Sequence, residues 1–291
     1  MRPTVPGSDA AVLYSGGTDS TFVALLMAEE FDRVHLLTYR RTGMFGVENS
    51  ERNVERLIAH TGPGRFVRPR PYPCVDGIFR HLSYHDYRGN LRRHGFFNLT
   101  TCGNCKLAMH VQSILYCAAN GVGTLRDGAN RGMTIFPAQM APVLPMIRAL
   151  YERYGVEYDT PIYDLEDSQG LDFGSRLHGL SKQRPDPLAS GMRTAGTELY
   201  QRGLLPAPDV KGTPEDRKMQ ARCYQFALFN VFVRWYYLQR HSYDDYVAGV
   251  VRYYSEQIAH CRGLLDEHFE APDRSRLGKL IEGPPPPGCR T

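Results

Sequence analysis

The chain has 291 residues, 42% of them hydrophobic and 23% charged, with a formal net charge of +4. That length can bury a full core, and the mix is that of a globular protein, not of a disordered, collagen-like or coiled-coil chain. No apolar run approaches the roughly 20 residues that cross a bilayer, and the first seven residues lack the apolar stretch of a signal peptide. Seven scattered cysteines, an odd number, do not read as a secreted disulfide framework, so a cytoplasmic location is expected. The small basic excess permits an anionic partner such as RNA, but no block of Lys and Arg requires one.

In chain order, Ala10-Ala11-Val12-Leu13-Tyr14 reads as a buried parallel strand, and the segment from Thr21 to Glu30 carries apolar residues at helical spacing. Residues 33–39 read as a second strand ending in Arg40 and Arg41, 49–60 as an amphipathic helix, and 65–69 as a short third strand closed by Pro69. Residues 71–101 resist assignment. There His81, His85 and His94, near Asp76 and Asp86, fit no standard metal-ligand spacing and read as surface or loop histidines. A helix over 106–120 stopped by Gly121, a strand over 122–126, a turn over 127–131 and a helix over 142–154 complete a β-α alternation. Such alternation predicts a parallel sheet of about five strands with right-handed crossovers, in an α/β domain over residues 1–155. Ligands of such sheets sit beyond the carboxyl ends of the strands, where the loop after Tyr14, Arg40, Arg41 and Arg68 would emerge.

Beyond it, residues 156–282 read as a loop-rich and then mostly helical addition. Residues 160–215, rich in Gly, Pro and Ser, would make long loops and a lid over the site. Residues 224–239 and 246–269 would make two helices, the first strongly aromatic. Those aromatics suit a helical core or oligomer interface, such as that of a homodimer, better than base stacking. The tail over 283–291, with four consecutive prolines, is expected to be disordered.

Two motifs carry chemistry. Ser15-Gly16-Gly17-Thr18-Asp19-Ser20 lies between the first strand and the first helix. A glycine pair there lets backbone N–H groups close on an anion, with hydroxyl donors and the helix dipole in support. A bare glycine pair would equally make a tight capped turn. The hexamer is neither a Walker loop nor a Gly-x-Gly-x-x-Gly dinucleotide signature. The second motif, Cys102-Gly103-Asn104-Cys105-Lys106, opens a helix. Its thiols could do redox or nucleophilic work, share a metal or cluster, or be small buried apolar groups.

The complete hexamer after the first strand resembles the signature of the N-type PP-loop ATP pyrophosphatases, over about residues 8–155. The order hexamer, Cys-x-x-Cys-Lys, helix, strand, Asp-Gly-x-Asn is most similar to the sulfur-inserting members. The resemblance implies cleavage of Mg²⁺-ATP between the α and β phosphates. A carbonyl of a small-molecule or RNA acceptor is adenylated, and sulfur from a separate donor then displaces AMP. It implies that Ser15, Gly16, Gly17, Thr18, Asp19 and Ser20 grip the pyrophosphate and that Tyr39 and Gly128 flank adenosine; Lys106, Arg68 and Arg131 are candidate phosphate partners, each of which reads more readily as an ordinary surface charge. It implies catalytic roles for Asp19, Cys102, Cys105 and Cys223, the three cysteines holding a [4Fe–4S] cluster or, alternatively, zinc. Cys223 is taken as the third ligand because it opens the aromatic helix; Cys117 reads as core, and Cys74, Cys261 and Cys289 have no supporting context. Arg131-Gly132 replaces the acidic pair usual after Asp-Gly-x-Asn, and there is no second Cys-x-x-Cys. A PP-loop ligase using ammonia or an amine, and a non-catalytic nucleotide-binding module, are the rival readings.

Overall fold

The computed structural model describes residues 8–95, 97, 102–133, 135–165, 188, 191–225, 229, 231–282 and 289. Much of the expected 160–215 lid and residues 283–288 of the expected disordered tail lie outside the described residues.

Strand β1 (Asp9–Leu13) is followed by helix α1 (Thr18–Glu30) and β2 (Arg33–Leu37). A two-residue strand β3 (Met44–Phe45), α2 (Glu51–Thr61) and β4 (Phe66–Val67) come next. The segment that resisted assignment forms α3 (Asp76–Tyr84) and α4 (Tyr87–His94). Then come α5 (Cys102–Asn120), β5 (Thr124–Asp127), α6 (Leu144–Glu152) and β6 (Glu157–Asp159). The C-terminal part holds α7 (Ala195–Gln201), β7 (Arg222–Cys223), α8 (Tyr243–Glu270) and α9 (Arg276–Glu282).

Five strands make one sheet in the order β4-β2-β1-β5-β6, every pair parallel. Sheets of this kind are covered by helices on both faces, and β1 shows it residue by residue. Ala10 and Val12 join a cluster with Phe22, Leu25, Leu57 and Leu199 from α1, α2 and α7. Ala11 and Leu13 face the other way, into a cluster with Leu107, Val111, Ile147 and Leu264 from α5, α6 and α8. The fifth strand, β6, lies just past residue 155, so the sheet runs beyond the boundary expected for the α/β domain. Gly121, at φ +65°, ends α5 as expected.

Helix α8 begins with a capping box: Ser242 Oγ accepts from the Asp245 N–H, and Asp245 accepts from the Ser242 N–H at 3.2 Å. It packs along α5 and α6, so the helical addition shares the core of the α/β domain. In the stretch read as one aromatic helix over 224–239, Tyr224, Gln225 and Phe229 are helical and Val231–Tyr237 winds as a π-helix; just before it, Arg222 and Cys223 are a strand paired antiparallel with β3. Two cysteines given no role are joined: Cys74, just before α3, is disulfide-bonded to Cys289, which is buried. Among the described residues no helix is long and apolar enough to cross a membrane.

Candidate active site

Strand order reverses between β1 and β5, since β2 and β4 lie to one side of β1 and β5 and β6 to the other. Loops leaving the two central strands at their carboxyl ends therefore diverge and leave a crevice. A cavity of about 540 Å³ occupies it, within the range of small-ligand sites. Its wall includes Ser15, Gly17, Thr18, Asp19 and Ser20 after β1, Tyr39 after β2, Lys106 on α5, and Asp127 and Gly128 at the end of β5.

The 15–20 loop is held in shape from inside. Ser20 Oγ donates to the Gly17 carbonyl at 3.1 Å and accepts from the Ser15 N–H at 3.3 Å. Buried Asn53 on α2 donates to the Gly16 carbonyl at 2.7 Å. Gly16 has φ +81°, and a Cβ there would stand 2.5 Å from Ser50 Cα and overlap the Met219 carbonyl. A Cβ on Gly128 would stand 2.9 Å from the Ser20 nitrogen, so that glycine lets the end of β5 approach the start of α1. No side chain caps α1, which leaves first-turn N–H groups facing the cavity for an anion. Thr18 Oγ1 is buried with no hydrogen-bond partner among the described residues, a polar group that a phosphate oxygen would satisfy.

Cations and carboxylates alternate around this loop. Lys106 pairs with buried Asp127 at 2.9 Å, and Tyr158 donates to the same carboxylate at 3.1 Å. Lys211, missed in the sequence, pairs with Asp19 at 3.0 Å. Asp216 and Gln220 line the same cavity. A Cβ on Gly17 would meet Gln220 Oε1 at 2.7 Å, so the 211–221 segment lies directly on the phosphate loop. The oxygens of Asp19, Asp127 and Asp216 are the hard donors that Mg²⁺ prefers. Tyr39 lines the cavity but is deeply buried, its hydroxyl 2.7 Å from Ser113 Oγ, and burial pushes its pKa up. Arg68 and Arg131 are absent from the wall; they pair with Glu51 and Asp164 respectively at the surface. Of the arginines expected at this end of the sheet, Arg41 turns to the cysteines.

Arg41 is buried under the Phe79 ring, 4.4 Å from the ring centroid. Its Nε donates to Cys105 Sγ at 3.1 Å and its Nη2 to Cys223 Sγ at 2.9 Å. The ribbon of β3 and β7 carries Cys223 to this point from the far end of the chain. Cys102 and Cys105 form the first turn of α5, fixed by Tyr254, whose hydroxyl donates to the Gly103 carbonyl at 2.7 Å. Burial pushes the Cys102 thiol up to about 12. Burial also raises Cys105, but Arg41 opposes it through its charge and its hydrogen bond. Burial by itself would lower the Arg41 pKa; the neighbouring sulfurs more than reverse that.

Cys102, Cys105 and Cys223 come together, with the charges of Cys105 and Cys223 both felt at Cys102, but the Arg41 guanidinium bridges Cys105 and Cys223, so a cube bound by both would require that side chain to swing aside. Nor do the three thiols lie within 4.8 Å of one another as a preformed zinc site would have them. Among the described residues the only three His, Cys, Asp or Glu with ligand atoms all within 4.8 Å of one another are His81, His85 and His260. Of the histidines expected on the surface or in loops, His85 lies in the turn after α3, His81 is half-buried on α3, and His94 is buried on α4 with its Nε2 2.9 Å from Glu256 Oε2.

No family model and no curated protein matches the chain. Among solved structures it is similar to a chain titled as the predicted subunit of a tRNA methyltransferase from Methanocaldococcus jannaschii. The identity is 17%, with 75% of this chain and 96% of that chain covered and a TM-score of 0.34. The fold and the site rest on the geometry above.

Proposed function

We propose that the protein is an AMP-forming ATP pyrophosphatase that adenylates a carbonyl oxygen of its acceptor and replaces that oxygen with sulfur. The supporting observation is the juxtaposition on α5: Cys105 faces Cys223 through Arg41, while its chain neighbour Lys106 reaches the cavity that holds the 15–20 loop.

In this reading the acceptor oxygen attacks the α-phosphorus, and the bond to the bridging oxygen of the β-phosphate breaks. The loop N–H groups, Thr18, Lys106 and Lys211 hold the departing pyrophosphate, so positioning and charge neutralisation lower the barrier. Mg²⁺, arriving with ATP, would be met by Asp19 and Asp127 and would neutralise phosphate charge. Sulfur is carried as a persulfide on Cys105, loaded by an external donor. Its terminal sulfur bonds to the activated carbon as AMP leaves. Attack by the Cys223 thiolate on the Cys105 sulfur then breaks the S–S bond, frees the thiolated product and leaves a Cys105–Cys223 disulfide, which an external dithiol reduces. Arg41 favours the thiolate at Cys105 and donates a hydrogen bond to Cys223. Beside Cys223, exposed Phe45 and Tyr224 have ring centroids 5.1 Å apart, with Arg222 over Phe45. Such a surface suits a planar heterocyclic acceptor, free or within RNA.

The test supplies α- and γ-labelled ATP with Mg²⁺, a persulfide donor, and either an RNA fraction or a small-molecule fraction as acceptor pool. AMP and pyrophosphate should form in step with labelled sulfur entering one pool. Release of ADP and phosphate would exclude the reading. Steep loss of activity with salt would assign the RNA pool, because phosphate contacts release counterions.

A further inference from the structure

Away from the nucleotide cavity, three histidines from two separate parts of the chain meet. His81 lies in the last turn of α3, His85 immediately follows that helix, and His260 lies on α8. His81 Nε2 and His260 Nε2 are 3.0 Å apart. One ring nitrogen from each of the three lies within 4.8 Å of the others. The rings are nearly parallel, with those of His85 and His260 4.0 Å apart at 7° and those of His81 and His260 5.1 Å apart.

Side-chain chemistry gives this grouping direction. His85 Nδ1 is 2.9 Å from the His81 carbonyl oxygen, which can only accept, so that nitrogen carries the proton and Nε2 keeps its lone pair. A metal-ligating histidine commonly fixes its tautomer in this way. His81 Nε2 and His260 Nε2 share one N–H···N hydrogen bond, so the ring that donates must move that proton to its other nitrogen before both can ligate an ion. A tetrahedral ion with metal–nitrogen bonds of about 2.0–2.1 Å separates its ligand nitrogens by about 3.3 Å, close to the 3.0 Å between His81 and His260; the stacked rings must turn about their side-chain bonds to aim their lone pairs at one ion. All three residues are half-buried, so an ion can enter while the imidazoles are partly shielded from water. The neighbouring cation, Arg276, is tied to Glu267 at 2.8 Å.

We propose that His81, His85 and His260 bind one divalent transition-metal ion of the zinc class, joining the end of α3 to α8. Imidazole donors suit zinc, copper and nickel. Three protein ligands leave a fourth position for water. The ion would fasten the helical addition to the helix that follows the Arg41 segment, independently of ATP and of the cysteines.

The test uses full-length untagged protein dialysed against chelator, with Zn²⁺ and Co²⁺ as probes. Calorimetry should show one equivalent of Zn²⁺ bound with micromolar or tighter affinity, and the melting temperature should rise with Zn²⁺. Bound Co²⁺ should give visible d–d bands without thiolate charge transfer. His260→Gln and His85→Asn should each weaken binding by about 100-fold, while Cys105→Ser leaves it unchanged. If His260→Gln does not fold, His85→Asn and the wild-type Co²⁺ spectrum decide. The proposal is overturned if wild type binds no Zn²⁺ at micromolar concentration, or if a folded histidine variant binds as wild type does. Co²⁺ charge-transfer bands that vanish in Cys105→Ser would overturn it too.

Discussion

Gly16→Ala tests whether the phosphate loop is held by its surroundings or only by its own turn. Two costs are expected. A left-handed conformation costs an alanine about 1–2 kcal/mol, and Gly16 has φ +81°. In addition the new methyl would stand 2.5 Å from Ser50 Cα and overlap the Met219 carbonyl, both backbone atoms that cannot swing aside. Forced overpacking of this kind adds about 1–3 kcal/mol. Gly121 separates the two costs, because it has φ +65° but a Cβ there meets nothing within 4 Å. Urea unfolding should therefore show Gly16→Ala destabilised by about 2–5 kcal/mol and Gly121→Ala by only about 1–2 kcal/mol. In folded protein at saturating stability, Gly16→Ala should also lose ATP binding, whereas Gly121→Ala should keep it. Equal destabilisation of the two variants would show that Ser50 and Met219 do not wall the loop.

Ser15→Ala and Asp19→Ala should abolish formation of AMP and pyrophosphate while circular dichroism and melting stay near wild type; retained AMP formation by both would remove the loop from the reaction. Arg41→Met removes the attraction that opposes burial at Cys105, so the pH midpoint of Cys105 alkylation by iodoacetamide should move upward, and an unchanged midpoint would mean that the guanidinium does not act on that thiol. His110 is buried against Tyr151 at 2.9 Å, and burial, with Lys106 adding to it, lowers its pKa to about 3. Its folded pKa lies below the unfolded value near 6.5. The stability that depends on its being neutral is therefore complete above about pH 6.5 and is lost as pH falls toward 3, at about 1.4 kcal/mol per pH unit. His110→Gln should flatten the pH dependence of unfolding between about pH 6.5 and 4.5; a slope equal to wild type would place the loss elsewhere.

Local pattern made much of this molecule legible, and its limits are equally local. The strands 10–14, 33–39 and 122–126 stood out because apolar residues run on unbroken where both sheet faces are covered. Their ends could not be read so well: Tyr14, Thr38 and Tyr39 leave the ladder to line the site, while the third strand begins only at Thr124 and runs on to Asp127. Helices α3 and α4 were hidden by their composition. Pro71 and Pro73 precede them, and α4 is so polar that only Asn90 and His94 are buried. Lys211, Asp216 and Gln220 could not be found from spacing, because they reach the phosphate loop from nearly two hundred residues away, in a stretch whose Gly and Pro content reads as lid or linker. Cys223 was singled out because it opens the aromatic helix; it does stand directly before helical Tyr224, but its own place is a two-residue strand set by pairing with Met44 and Phe45. Such pairing leaves almost no trace in a sequence, for two residues carry no period.

The segment 211–223 links the two halves of the chemistry. At one end Lys211 and Gln220 press on the 15–20 loop, and at the other Cys223 meets Arg41 and Cys105. Between them Glu215 binds Arg52 at 3.0 Å and Arg56 at 2.7 Å on α2, so the segment is fastened to the α/β domain between its two functional ends. In the proposed reaction, ATP in the cavity would bring phosphate oxygens against Lys211, which pairs with Asp19, and against the space that Gln220 occupies over Gly17. Any shift of the segment to admit phosphate is bounded by the arginines holding Glu215. What lies beyond them, from Met219 to Cys223, is short and ends in the ribbon with β3. In the proposed reaction, occupation of the nucleotide site and placement of the Cys223 sulfur are thus joined through about a dozen residues of one strap. The thiol that releases sulfur is set in place by the same segment that covers the phosphates.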